Sequence, residues 1–402
     1  MLLFSNGPGA AAKLRRLSPR LLFVPAALVF FSIVLLGRNT SFSSRRSFFS
    51  FFGGACPPTP DSQPPSPNAI PNQVHFVHIF NNGVTDFDFQ FKHFLSIYAT
   101  HHYWRPDAIY LHTNADEAAI ERAQTEGTGK GGKTNKWNKL IFNSVPNLRV
   151  NRVEVPKTAG NGMAINVIEH KSDFVRTEVV RKMGGVYLDF DAHALRDVSP
   201  LRECGFAAIF GRQLHGQINN GVFFSRKYSL LLNRWWEEMN KVYNGGWTTH
   251  GNGVLTWLGP RLAGMAGGEV LILEQDALNP GSWEVEDNIK LFGLHNETAS
   301  NLPATFKDGD PLPTYLDTNE ERWTLVRDKK KHPAWERDYS STWVLHAFDP
   351  VRNRDPVPGF KHITPRYVFE RKSNFARAVY PVAKAMYDAG LVKADDLYKG
   401  ED

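Results

Sequence analysis

The stretch from Ile165 to Asp191 constrains this chain most. Ile168, Val175, Val179 and Met183 recur at spacings of seven and four, so they share one face of a helix predicted over 165–183. Gly184-Gly185 ends that helix, because glycine accepts the left-handed backbone of a helix C-terminus. Val186-Tyr187-Leu188 starts a strand at once, and Asp189-Phe190-Asp191 closes it. A helix that hands directly to an apolar strand is one step of an α/β chain with a mainly parallel sheet flanked by helices.

The preceding sequence repeats that step. Strands are predicted over 74–80, 108–112 and 148–155, and helices over 86–104 and 116–124, so the strand before Asp189 is the fourth. The Lys-rich segment from Lys130 to Lys139 reads as a solvated surface loop.

Before residue 72 the chemistry is different. Leu21 to Gly37 holds no charge and spans about 25 Å as a helix at 1.5 Å per residue, close to a thin bilayer. No small-residue cleavage pattern follows it directly, which favours a retained anchor over a removed signal peptide. Residues 38–71 are rich in Pro, Ser and Phe and predict an extended stalk. The expected layout is a cytosolic tail (1–20), a transmembrane signal anchor (21–37), a stalk (38–71) and a body (72–402). Such a single-pass type II protein would present the body to the lumen of the Golgi or endoplasmic reticulum. Asn296-Glu297-Thr298 is then a glycan acceptor, and Asn39 a weaker one beside the membrane.

The net charge of +6 does not mark a nucleic-acid binder. Seven basic residues and no acid lie in the first 60 positions, leaving 40 basic against 41 acidic side chains in the rest. The body has no overall field to attract a polyanion. Two cysteines, Cys56 and Cys204, are too few for a disulfide framework or a four-thiolate metal site.

Asp-x-Asp occurs three times, so the pattern alone says little. Asp308 and Asp310 flank a glycine in a turn-rich segment, and Asp86 and Asp88 fall where a helix start is expected, as ordinary capping residues. Only Asp189 and Asp191 end an apolar strand. Ligands of open α/β sheets gather at the carboxyl ends of strands, and alternation would send both carboxylates to one side. Two such groups repel unless a cation compensates them, and hard oxygens suit Mn²⁺ or Mg²⁺. Asp173 and Arg176, three apart on the preceding helix, add an acid and a base on one side of it.

Ser172-Asp173-Phe174-Val175-Arg176 followed by Gly184-Gly185-Val186-Tyr187-Leu188-Asp189-Phe190-Asp191 resembles the signature of the DXD sugar-transferases, and most of all glycosyltransferase family 32. That family includes fungal α-mannosyltransferases and animal α-1,4-galactosyltransferases. The resemblance implies a GT-A fold and a metal-dependent, retaining transfer from a nucleotide sugar, GDP-mannose or UDP-galactose, to a glycan or sphingolipid acceptor. Carried over by position, Asp173 and Arg176 would contact the donor sugar and phosphates. Asp189 would touch the donor and help hold Mn²⁺ or Mg²⁺, and Asp191 would ligate it. Asn219, in Asn219-Asn220-Gly221-Val222, would contact the sugar. His346, in Trp343-Val344-Leu345-His346, would complete the metal's ligands. Leu258-Gly259-Pro260 resembles the family's Thr-Gly-Pro with leucine in place of the threonine. Two other readings stay open at this point. One is a phosphohydrolase of the haloacid-dehalogenase type, although His193 stands where that family has Thr or Val. The other is a membrane-tethered sugar-binding protein without turnover.

Overall fold

The computed structural model describes residues 68–81, 86–129, 132–295, 302, 305–313, 335–348, 350 and 357–400, all within Cys56–Asp402. The expected tail, anchor and nearly all of the stalk lie outside the described residues, as do Cys56, Asn39 and Asn296. Among the described residues, no helix is long and apolar enough to cross a membrane.

The longer elements run β1 (Gln73–His78), α1 (Phe91–Trp104), β2 (Ala108–Thr113), α2 (Glu117–Thr125), α3 (Lys136–Ser144), β3 (Leu148–Arg152), α4 (Ile168–Met183), β4 (Gly185–Leu188), β5 (Ala192–Ala194), β6 (Ala208–Arg212), β7 (Ile218–Ser225), α5 (Leu230–Val242), α6 (Val254–Ala263), β8 (Val270–Leu273), α7 (Val285–Phe292), β9 (Val344–His346) and α8 (Asn374–Asp388). Seven strands form one sheet in the order β3-β2-β1-β4-β7-β6-β8. Every pairing in it is parallel except those of β7, which runs against β4 and β6. The expected mainly parallel α/β sheet is therefore present, and β4 sits at its centre. A separate two-stranded ribbon pairs β5 with β9.

Strand alternation divides the core into two apolar layers. Phe76, Ile109, Val186, Leu188, Val222 and Phe224 face one layer, with α1 and α8. Val77, Tyr187, Phe210, Phe223 and Trp235 face the other, with α4, α5 and α6. Truncating any of the fully buried phenylalanines to alanine costs about 3–5 kcal/mol in cores of this kind.

Gly184 and Gly185 form the hinge between α4 and β4. Gly184 has φ 72° and its N–H caps Val180 at 2.7 Å, and Gly185 has φ 111°. A Cβ on Gly185 would stand 2.5 Å from the Gln73 carbonyl oxygen, so any side chain there would push β1 off β4.

Three expectations are corrected. Asp86 caps no helix: α1 starts at Phe91, after the N-cap Gln90, and Asp86 instead pairs with Arg122 at 3.0 Å. Part of the Lys-rich segment is helical rather than loop, because Trp137 and Ile141 bury one face of α3 and Asn135 caps it. The fourth strand ends at Leu188, so Asp189 and Asp191 do not lie on an extended strand. Asp308 and Asp310 do lie in a turn. Cys204 is a free, half-buried thiol.

Candidate functional site

β4 delivers Asp189 to the carboxyl end of the parallel strands. The Ala192 N–H then donates to the Asp189 carbonyl at 3.0 Å, folding Phe190 and Asp191 into a turn that feeds β5. This turn, rather than strand alternation, gathers the two carboxylates. β5 pairs Ala192 with His346 of β9, which brings the late histidine to the same spot. His346 Nε2 lies 3.3 Å from Asp191 Oδ1 and 4.0 Å from Asp189 Oδ2.

The donor set fits a divalent cation. One ligand atom from each of Asp189, Asp191 and His346 lies within 4.8 Å of the others. His346 Nδ1 sits 3.1 Å from Asn279 Oδ1, and the Asn279 amide nitrogen donates to the Arg212 carbonyl at 3.0 Å. That second bond fixes the amide's orientation, so His346 Nδ1 carries the proton and Nε2 turns a lone pair towards the carboxylates. Gly221 supplies the space: a Cβ there would stand 2.5 Å from His346 Cε1 and 2.6 Å from Asp189 Oδ2.

Behind this corner lies a row of charge-assisted contacts. Arg176 reaches Asp189 with two nitrogens, Nη1 to Oδ2 at 3.2 Å and Nη2 to Oδ1 at 3.1 Å. The Tyr187 hydroxyl donates to Asp189 Oδ1 at 2.7 Å, and the guanidinium stacks 4.6 Å over the Tyr187 ring. Arg176 Nε also lies 3.5 Å from Asp173 Oδ1, and Asp173 accepts from Asn220 Nδ2 and His250 Nε2, each at 2.9 Å. Burial raises the Asp189 pKa, with Arg176 opposing and Asp191 adding to it. Burial works against the Arg176 cation, yet Asp189 foremost, with Tyr187 and Asp173, holds its pKa above the ordinary value.

All six sequence-predicted site residues, Asp173, Arg176, Asp189, Asp191, Asn219 and His346, line one cleft of about 870 Å³. The Asn219 side chain is buried in the cleft wall, where it donates to Gln213 Oε1 at 2.5 Å and accepts from the Gly221 N–H at 2.6 Å, so it also shapes the Gly221 turn. Leu258, where the resembling family has threonine, is buried, and the Thr256 hydroxyl two residues earlier accepts from the Ile218 N–H at 2.9 Å.

Sequence reasoning missed His250, His170, Asn220, Asn279 and Trp247. His250 sits on a π-helical turn, Thr249–Gly253, a distortion often found at functional sites. The only sequence signal was the Gly-rich run Gly251-Asn252-Gly253 directly after it.

Two carboxylates gathered just past the end of the central strand β4, with a histidine from β9 beside them, stand where open α/β sheets bind their ligands. Residues 102–205 match the family described as "Glycosyltransferase sugar-binding region containing DXD motif". The enzyme class is thus that of the glycosyltransferases, and Asp189-Phe190-Asp191 is its DXD motif. No curated protein matches the chain. Among solved structures it is similar to the PaToxG glycosyltransferase, with 15% identity, TM-score 0.35, and coverage of 50% of this chain and 71% of that one. The glycosyltransferase GlyE of Streptococcus pneumoniae shows 9% identity and TM-score 0.36, over 81% of this chain and 64% of its own. The galactosyltransferase LgtC, solved with donor and acceptor sugar analogues, shows 14% identity and TM-score 0.32, over 78% and 95%. At these identities and scores the weight rests on the family match.

Proposed function

We propose that the protein transfers a hexose, mannose or galactose, from its nucleotide diphosphate sugar to a glycan or glycolipid acceptor, with retention of anomeric configuration and dependence on Mn²⁺ or Mg²⁺. The observation that carries this reading is the Asp189–Asp191–His346 corner set beside Arg176 in one cleft. Asp189, Asp191 and His346 Nε2 would hold the cation, which when bound neutralises charge on the departing diphosphate. Arg176 adds a fixed positive group aimed at the same place, and being buried it needs no reorganisation as charge develops. Asp173, held by Arg176, Asn220 and His250, presents a carboxylate to the donor's hydroxyls. Retention and the choice of hexose follow the family resemblance.

The geometry disfavours the phosphohydrolase reading. His193, at the position of that family's hydroxyl or valine, is buried against Phe375.

Body 72–402 is proposed to be luminal, in the Golgi or endoplasmic reticulum, anchored through 21–37. This part rests on the sequence alone. A donor screen with a secreted chain starting near Asn72, reading released nucleoside diphosphate with and without acceptor, tests the transfer and its metal dependence. Expected is chelator-sensitive release from GDP-mannose or UDP-galactose that rises with acceptor and returns on adding Mn²⁺ or Mg²⁺. Chelator-insensitive release, or phosphate release from phosphomonoesters, would contradict it.

A further inference from the structure

Ten large apolar side chains are exposed among the described residues, and two of them, Trp247 and Trp283, line the cleft. The exposed aromatics elsewhere each have a cation beside the ring: the Arg261 guanidinium lies 4.6 Å over Trp257, and Arg181 and Lys227 flank Tyr228 at 5.6 and 5.3 Å. Trp283 packs edge-on against Phe348, which stacks on His346 at 4.0 Å, so it belongs to the metal corner. Trp247 is different. It is 61% exposed, and the one aromatic ring it meets among the described residues is that of His170, 5.5 Å away at 56°.

His170 adds an independent observation. Its Nδ1 is bonded to the Tyr243 hydroxyl at 3.0 Å, while Nε2 has no partner, although the residue is 1% exposed and forms part of the cleft wall. A continuous row leads from there to the donor corner. His170 lies 4.7 Å from the His250 ring, His250 bonds Asp173, and Asp173 neighbours Arg176. An exposed indole face at the cleft, held from behind by the buried His170 ring, matches the apolar C–H face of a pyranose. The loop backbone suits this role, since Gly245, with φ 77°, turns the chain just before Trp247 leaves the body.

We infer that Trp247, backed by His170, is the platform on which a pyranose ring of the acceptor stacks. This rests on the transfer reading above and adds to it the residue that selects a carbohydrate acceptor. The incoming hydroxyl then approaches from the Asp173 end of the cleft, and the diphosphate remains at the Asp189–Asp191–His346 end.

The test is direct binding, by ligand-observed NMR, of methyl α-mannopyranoside and lactose, and of lactosylceramide in phosphatidylcholine vesicles. UDP and GDP serve as nucleotide probes. Trp247→Ala is expected to weaken the sugar probe about tenfold or more, with Trp247→Phe restoring most of it, since an aromatic face is what the ring needs. Binding of the free sugar assigns a soluble glycan as the source, and binding of the vesicle alone assigns a glycolipid head group. Either outcome supports the platform if it depends on Trp247. Unchanged sugar affinity in Trp247→Ala, or a larger loss for UDP or GDP than for sugar, overturns it. The last result would make Trp247 a nucleobase platform. With turnover measured in parallel, the ratio of transfer to donor hydrolysis should fall about tenfold in Trp247→Ala. Wild-type protein that binds sugar through Trp247 but turns over no nucleotide sugar would defeat the transfer reading and leave the platform standing.

Discussion

Two buried polar clusters stand on neighbouring strands and share residue types, yet they are built to opposite ends. Beneath β1–β3, Asn151 Nδ2 approaches His112 Nδ1 at 2.8 Å, His112 Nε2 approaches His75 Nδ1 at 2.9 Å, and His75 Nε2 approaches the Gly184 carbonyl at 2.7 Å. The carbonyl accepts only, so the protons run one way along the row, and every ring nitrogen is satisfied by protein. At the end of β4, His346 spends one nitrogen on Asn279 and turns the other towards two carboxylates that repel each other. The first cluster is closed and structural. The second instead brings three potential ligand atoms, one each from Asp189, Asp191 and His346, within 4.8 Å of one another.

The largest expected effect comes from filling the second cluster. Gly221→Ala puts a carbon 2.5 Å from His346 Cε1, and transfer should drop below detection in a nucleoside-diphosphate release assay. Full activity would show that the space beside Asp189 is not used. Removing the positive group comes next. Arg176→Ala should lower the rate by roughly 2.7–4 kcal/mol, the range for deleting one charge-stabilising group. Circular dichroism should check folding, and Arg176→Lys keeps a cation beside the buried Asp173 and Asp189.

The closed cluster makes the opposite prediction, one about stability. Burial pushes the His75 pKa down to about 4, against 6.5 in the unfolded chain. Folded His75 therefore holds fewer protons than unfolded His75 between those values. Its contribution is full above about pH 6.5 and is lost as pH falls towards 4, by about 3 kcal/mol. Urea unfolding across that window should show His75→Gln taking up one proton fewer than wild type. An identical pH slope would mean the row titrates freely. The smallest effect tests the hinge between the two designs. Asn279→Ala frees the His346 tautomer and should weaken cation binding about 10–100-fold, leaving the other ligands in place.

Legibility in the sequence follows the same division. α4, its glycine stop, β4 and the Asp pair were readable because each is set by neighbours within a few residues. Asp173 and Arg176 were readable as a helix-spaced pair. His346 entered only through the family resemblance: β9 is three residues long, too short for a period of two to register. Apart from the glycine run after His250, His250, Asn279 and Asn220 had no local signal, since their partners lie 32 to 77 positions away. α3 was hidden by its lysines, although Trp137 and Ile141 at helical spacing, with Asn135 as cap, marked it.

The central claim is that Asp189, Asp191 and His346 form a divalent-cation site serving a nucleotide sugar. Electron paramagnetic resonance of Mn²⁺ titrated into the body with GDP or UDP present tests it without reference to turnover. One tightly bound Mn²⁺ per chain is expected in wild type, lost in Asp191→Ala while the thermal unfolding midpoint stays put. Equal Mn²⁺ binding by wild type and Asp191→Ala, or none by either, would contradict the account.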